Sequence, residues 1–293
     1  MGTPLIADPA LAGKLASIER RLALGAALRG LDDGVAQLAE APGALAALRA
    51  GGWTWLGGLE GEIQALKRLL PAARGEAIRA RDGLVAPLAR QLAQIKKAAE
   101  KPGDPSALSE LNRALFQLDR ALVSAERLVE GGQAPVIERA GALRDRLEEG
   151  RRALARFGDA GFRLGAGERA LLAFDVRWLD APGVAEPPPG ALLLSDQRLR
   201  FERRDDRVLR RNRAGLAEEI RVDRALLMDE PHASLGAVRD ATSGVVRREP
   251  RVALTWRAGA HTGATCTFSV EGGAAPLVAA CEAMRQGRVR AYA

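Results

Sequence analysis

Side chains that ligate metals or staple small domains are scarce in this chain: two cysteines and two histidines in 293 residues. Two thiols cannot build a disulfide scaffold or a Cys-rich zinc module. His232 and His261 each stand alone near turn residues, with no partner three or four positions away. Aromatic residues make up only 4%, and within the arginine-rich stretch near residue 200 only Phe201 could stack on a base, where the alternation turns it inward. No apolar run approaches the ~20 residues needed to span a bilayer, and the start carries no export signal. A phosphate cradle of the form G-x-x-x-x-G-K-[ST] is missing, since the sole Gly-Lys pair, Gly13-Lys14, is followed by Leu15. The expectation is a cytoplasmic protein with reduced thiols, without cofactor, metal or small-molecule substrate.

What the chain does have is hydrophobic content, at 47%, and arginine. That content suffices for packed cores. Lysine and arginine total 44 against 37 acidic residues, a net charge of +7 with no basic or acidic tail. From Pro9 to about Phe157 the apolar residues recur at helical spacing. Leu11, Leu15, Ile18 and Leu22 form one stripe, and further helical patterns run over 32–48, 59–70 and 78–100, with Pro87 expected to kink or break the last. Leu108, Leu111, Leu115, Leu118, Leu122, Ala125 and Val129 alternate steps of three and four. After Gly131-Gly132-Gln133-Ala134-Pro135 the pattern resumes at Val136, Ala140, Leu143 and Leu147. This reads as an antiparallel helical hairpin with coiled-coil-like seams, closing within one chain or between two.

Past residue 160 the period falls to two. Leu172, Phe174, Val176 and Trp178 alternate with Ala173, Asp175 and Arg177. The same alternation marks strands around Leu199 and Phe201, Val252 to Trp256, and Cys266 to Val270. One amphipathic helix follows, with Leu277, Val278, Cys281 and Met284 on a single face. The expected fold class is α+β: a helical bundle over 1–158, then a small antiparallel β-barrel over 163–290 capped by a C-terminal helix. Gly158, Gly161 and Gly165 would permit a hinge between the two.

Gly167-Glu168-Arg169-Ala170-Leu171-Leu172 leads into the first strand, and Gly190-Ala191-Leu192-Leu193-Leu194-Ser195-Asp196-Gln197-Arg198-Leu199-Arg200-Phe201-Glu202 into the next pair. These segments resemble the opening of bacterial pleckstrin-homology-like and GRAM-like domains, with Ser195 where threonine is usual. The closing strand and helix match the end of that family, while the stretch from Arg213 to Pro231 fits it poorly. The resemblance implies a docking domain, with basic residues near the first strand pairs available to phosphoinositide headgroups. Independently, Asp196 between two apolar runs suits a tight turn whose backbone N–H groups its carboxylate can bind, which would turn Arg198 outward and Leu199 inward.

Ala225 to Leu235, containing Asp229-Glu230-Pro231, resembles the Walker B strand of ABC-type ATPases. Without a phosphate cradle or an ABC signature it is read as a strand edge followed by a turn. Ser195 has no nearby histidine to activate it, so no catalytic residue is assigned and the protein is expected not to be an enzyme. The feature above background is arginine clustering: Arg198, Arg200, Arg203, Arg204, Arg207, Arg210, Arg211 and Arg213. With Asp205-Asp206 at a hairpin tip, these would form a basic patch for lipid phosphates or an acidic protein face. Trp53 and Trp55, in a Gly-flanked connector, are either a plug over a bundle end or an exposed partner anchor. The expected function is a non-enzymatic adaptor or assembly subunit. Its helical half would self-associate or hold a protein partner, and its barrel would dock on a protein surface. The alternative is a peripheral membrane protein that binds anionic headgroups at the inner membrane face. Nucleic acid is not an expected partner.

Overall fold

The computed structural model describes residues 4–101, 105–211, 217–244, 248–257, 260 and 265–288, with the side chains at 105, 206–211 and 217–221 outside the described set. The fold is α+β: five helices, then a seven-stranded antiparallel sheet, then one more helix. His261 and Arg213 lie outside the described residues.

The helices are α1 (Pro9–Leu22), α2 (Arg29–Ala50), α3 (Leu59–Ala99), α4 (Pro105–Gly131), α5 (Ala134–Gly158) and α6 (Ala275–Arg285). Helix α1 begins where Asp8 accepts from the backbone N–H groups of Ala10 and Leu11 at 2.8 and 3.1 Å, with Pro9 in the first turn. Helix α3 runs unbroken through Pro71 and Pro87, where the sequence suggested separate helices. Each proline removes one N–H, but both are exposed, and so are Lys67 and Gly83, whose carbonyls lose that partner. Water can take over the lost bonds, which weakens the usual breaking effect.

The chain divides into two compact units: 1–42 with 61–144, and 43–60 with 145–293. In the first, Leu11, Leu15 and Ile18 of α1 and Leu111, Leu115, Leu118 and Leu122 of α4 are buried. Arg21 bridges to Asp119 at 2.6 Å and to Glu126 at 2.9 Å on α4.

The second unit contains the sheet, the end of α5 and the Gly/Trp connector. Its strands are β1 (Ala170–Trp178), β2 (Pro189–Ser195), β3 (Arg198–Arg211), β4 (Ala217–Pro231), β5 (Leu235–Asp240), β6 (Arg251–Trp256) and β7 (Thr265–Val270), ordered β4-β3-β2-β1-β7-β6-β5. No ladder joins β4 to β5 among the described residues, so the sheet is open rather than a closed barrel. Pro231, which lacks an N–H, and the 3-10 turn His232–Ser234 divert the chain there, and α6 packs against β5. The inner face is hydrocarbon: Trp178, Phe201 and Phe268 lie 5.4–5.7 Å from one another by ring centres. Cys266 and Cys281 are free and buried, and burial pushes the Cys281 thiol up.

Strand β3 is longer than the alternation indicated. It pairs with β2 only from Leu199 to Arg203, while its ladder with β4 continues to Arg211↔Ala217. Asp205 and Asp206 therefore sit within a two-stranded ribbon, opposite Asp223 and Val222, and not at a hairpin tip.

The connector is held from three sides. Arg49 donates to the carbonyls of Trp53, Trp55 and Leu56 at 3.0–3.2 Å and to Glu60 at 2.9 Å. The Trp53 ring lies against Gly150 of α5, where an added Cβ would come within 2.9 Å of it. Its Nε1 donates to the Leu171 carbonyl at 2.6 Å, beside a register shift between Ala170 and Leu172 in the β1–β2 ladder. Both tryptophans are buried.

Candidate functional site

The ladders across β1–β4 place outward side chains in straight rows. One row holds Ala173, Leu193, Arg200 and Asp229; the next holds Asp175, Ala191, Glu202 and Leu226. In the alternation of β3, Arg200 and Glu202 belong to the solvent side, yet Arg200 is only 5% exposed and Glu202 fully buried. The cover comes from the segment after α5. Phe162 lies 4.8 Å beneath the Arg200 guanidinium, and the Gly161 N–H donates to Glu202 at 2.5 Å. The glycine segment expected to permit a hinge is thus bonded into the second unit.

Burial of these charges requires partners, and each has them. Arg200 forks onto Glu168, with Nη2 donating to Oε2 at 3.0 Å and Nη1 to Oε1. Ser195 Oγ donates to the same carboxylate, and the Gly165 N–H donates to it at 2.8 Å. Burial opposes the charge on Glu168, but the bonds from Arg200, Ser195 and Gly165 together outweigh it and bring its carboxyl down to about 2. Ser195 Oγ in turn accepts from the Arg198 N–H at 2.8 Å, closing the β2–β3 turn. Asp196 accepts from the backbone N–H of Arg169 at 2.8 Å. The Gly-Glu and Ser-Asp motifs are thereby two halves of one knot.

The remaining arginines divide between those tied down and those not described. Arg198 Nε donates to Asp229 at 2.6 Å, and Arg200 Nε lies 2.9 Å from the same oxygen. Asp229, the first carboxylate of the Walker-like stretch, is thus held by two guanidinium groups. Arg203 lies 3.3 Å from Asp205. Arg204 bonds Glu202 at 3.1 Å and the Arg156 carbonyl near the C-terminal end of α5 at 3.2 Å, a favourable place for a cation. The side chains of Arg207, Arg210 and Arg211 lie outside the described residues. Arg198, Arg200, Arg203 and Arg204, expected to form an outward basic patch with them, instead make ion pairs within the unit, and Trp53 and Trp55 lie apart from them in the connector.

A third outward row was not singled out from the sequence: Arg177 and Pro189 are paired across β1–β2, and Arg204 and Arg224 across β3–β4. These residues line an open cleft of about 430 Å³ with Arg156, Asp159, Asp175, Val222 and Glu271. Arg156 bonds Asp175 across it at 2.8 Å. Arg177 and Arg224 are exposed and, among the described residues, their side chains make no ion pair or hydrogen bond. A second cleft of about 500 Å³ adjoins, lined by Glu149, Arg152, Phe174 and the Gly272-Gly273 turn. Burial raises the Glu149 carboxyl, against the pull of Arg152 and Arg146. His232 is half-buried, and burial lowers its imidazole pKa. Among the described residues no cluster of His, Cys, Asp and Glu could hold a metal ion, and no helix is long and apolar enough to cross a membrane.

No protein-family model matches the chain, and no curated protein matches it. Among solved structures it is similar to the Vps36 N-terminal PH domain, at 16% sequence identity, covering 42% of this chain and 81% of that one with a TM-score of 0.26. That similarity is too slight to bear on ligand or partner.

Proposed function

We propose that this protein is a non-enzymatic adaptor or assembly subunit. Its helical unit self-associates or holds a protein partner, and its pleckstrin-like unit docks on a protein surface. The observation that carries this reading is the fate of the arginines. Arg200 and Arg204 are enclosed against carboxylates, and Arg198 and Arg203 sit in half-exposed ion pairs, so much of the charge of these four is offset within their own unit. Meanwhile the outermost strand β4 has no strand on its far side among the described residues and presents Val222 and Leu226, 39% and 43% exposed. An edge strand with exposed apolar side chains suits a protein surface better than a headgroup layer.

Anionic membrane binding is the second reading. It is favoured by the β3–β4 ribbon, whose register sets Arg207 opposite Arg221 with Arg210 and Arg211 beyond. Guanidinium groups pair well with lipid phosphates, and this stretch of the chain is rich in them. Co-sedimentation of the full chain with neutral and phosphatidylserine-containing vesicles, at low and physiological salt, separates the two. The adaptor reading predicts no salt-sensitive, anion-dependent pelleting. Pelleting that needs anionic lipid and disappears when Arg207 and Arg210 become serine would overturn it in favour of the membrane.

A further inference from the structure

We infer that His232 is an acid-sensitive clasp across the open side of the sheet, released when its imidazole takes a proton. The inference goes beyond the docking reading and does not depend on it. The strands run β4-β3-β2-β1-β7-β6-β5, and no ladder joins β4 to β5 among the described residues. The 3-10 turn His232–Ser234 stands in that gap and bonds to both sides of it. On one side the His232 N–H donates to the Gln197 carbonyl in the β2–β3 turn at 3.0 Å. On the other, the Arg257 N–H just past β6 donates to the Ser234 carbonyl at 2.8 Å. Helix α6 packs against the same turn.

The ring is seated for its neutral form. It is half-buried and faces the Ser195 and Arg198 carbonyls, while its Nε2 is enclosed with no hydrogen-bond partner among the described residues. A neutral imidazole keeps one bare nitrogen, whereas a charged one carries N–H on both. Protonation therefore sets a charged donor without an acceptor in a place closed to water. The carboxylates that favour charge on the ring, Asp196 and Glu168, are already engaged by the Arg169 N–H and the Arg200 guanidinium. The other charges around the turn are closed on themselves or exposed. Arg198 holds Asp229, and on α6 Arg285 holds Glu282. Buried Glu230 has partners of its own, and Arg257 is exposed. Burial accordingly wins and lowers the imidazole from its ordinary 6.5. With the folded value below the unfolded one, the clasp contributes in full above about pH 6.5 and is lost as pH falls through the folded value.

The test compares the full chain with His232→Gln and His261→Gln, which between them cover both histidines of the sequence. From about pH 7.5 to about pH 5, the melting temperature of the parent chain and of His261→Gln should fall by about 3 °C more than that of His232→Gln. The Glu149 carboxyl, raised by burial, acts with the opposite sign and cannot imitate this loss. In an NMR titration of His261→Gln, the C2 proton of the remaining imidazole should titrate below 6.5. Amide exchange at His232 and Arg257, corrected for the intrinsic effect of pH, should quicken before that of the β1–β2 ladder. An equal acid loss in His232→Gln, or titration at or above 6.5, overturns the inference. Exchange that quickens everywhere at once overturns the clasp as well. If His232→Gln fails to fold, titration and exchange in His261→Gln decide by the same criteria.

Discussion

The two faces of strands β1 to β4 are closed by different physics, although the same residues of backbone carry both. On the inner face Phe174, Leu192, Phe201 and Met228 form a cross-strand row, with Trp178 and Phe268 packed against the Phe201 ring. Any well-shaped set of apolar side chains could close that face. On the outer face, Glu168, Arg200 and Glu202 are enclosed as charges, each depending on a named partner at a fixed place, and the half-exposed Asp229 holds Arg200 from the rim. Removing an apolar side chain leaves a cavity, whereas removing one charge strands another. The outer face therefore tolerates less change, and the motif residues concentrate there for an architectural reason.

The largest effect should come where the faces meet. A Cβ at Gly190 would lie 2.2 Å from the Glu202 carbonyl oxygen and 2.8 Å from the Phe201 ring. Gly190→Ala should cost about 4 kcal/mol or more, seen as a lowered urea midpoint or as a failure to fold. Next come matched truncations, one per face: Leu192→Ala and Glu168→Gln should each cost about 3 kcal/mol by urea denaturation. Their salt dependence sharpens the contrast little, since both sites are buried; pH separates them. The Glu168 carboxyl lies at about 2 in the folded protein against 4.5 as reference. Its contribution is present in full above about pH 4.5 and is lost as pH falls toward 2. A stability–pH curve should lose part of its acid limb in Glu168→Gln and keep it in Leu192→Ala. An unchanged limb in Glu168→Gln would break the comparison. Smallest is Trp53→Phe, which removes the indole bond to Leu171 and part of the buried ring volume, at about 2 kcal/mol in thermal denaturation.

The inner face was legible in the sequence and the outer face was not. Alternation of Leu172, Phe174, Val176 and Trp178 locates β1, and the change of period near residue 160 separates helices from strands. The face of α6 was also readable, since Leu277, Cys281 and Met284 are buried together. Alternation assumes that the other face is wet, which fails for Arg200 and Glu202 because Gly161 and Phe162, some forty residues earlier, cover them. The length of β3 was hidden because charged residues in a two-stranded ribbon look like a turn. Strand β4 carries no clean alternation, so its pairing of Arg224 with Arg204, and with it the third row, could not be read from spacing. The Gly-Glu and Ser-Asp motifs were visible, but their mutual bond depends on register across β1 and β2.

The most direct measurement is a double-mutant cycle between Glu168 and Arg200, each changed to leucine alone and together, by urea denaturation. If the outer face is closed by paired charges, the double variant should cost about 2 kcal/mol less than the sum of the singles. Additive costs would mean that Arg200 and Glu168 act independently, and would contradict the assignment of these motif residues to architecture.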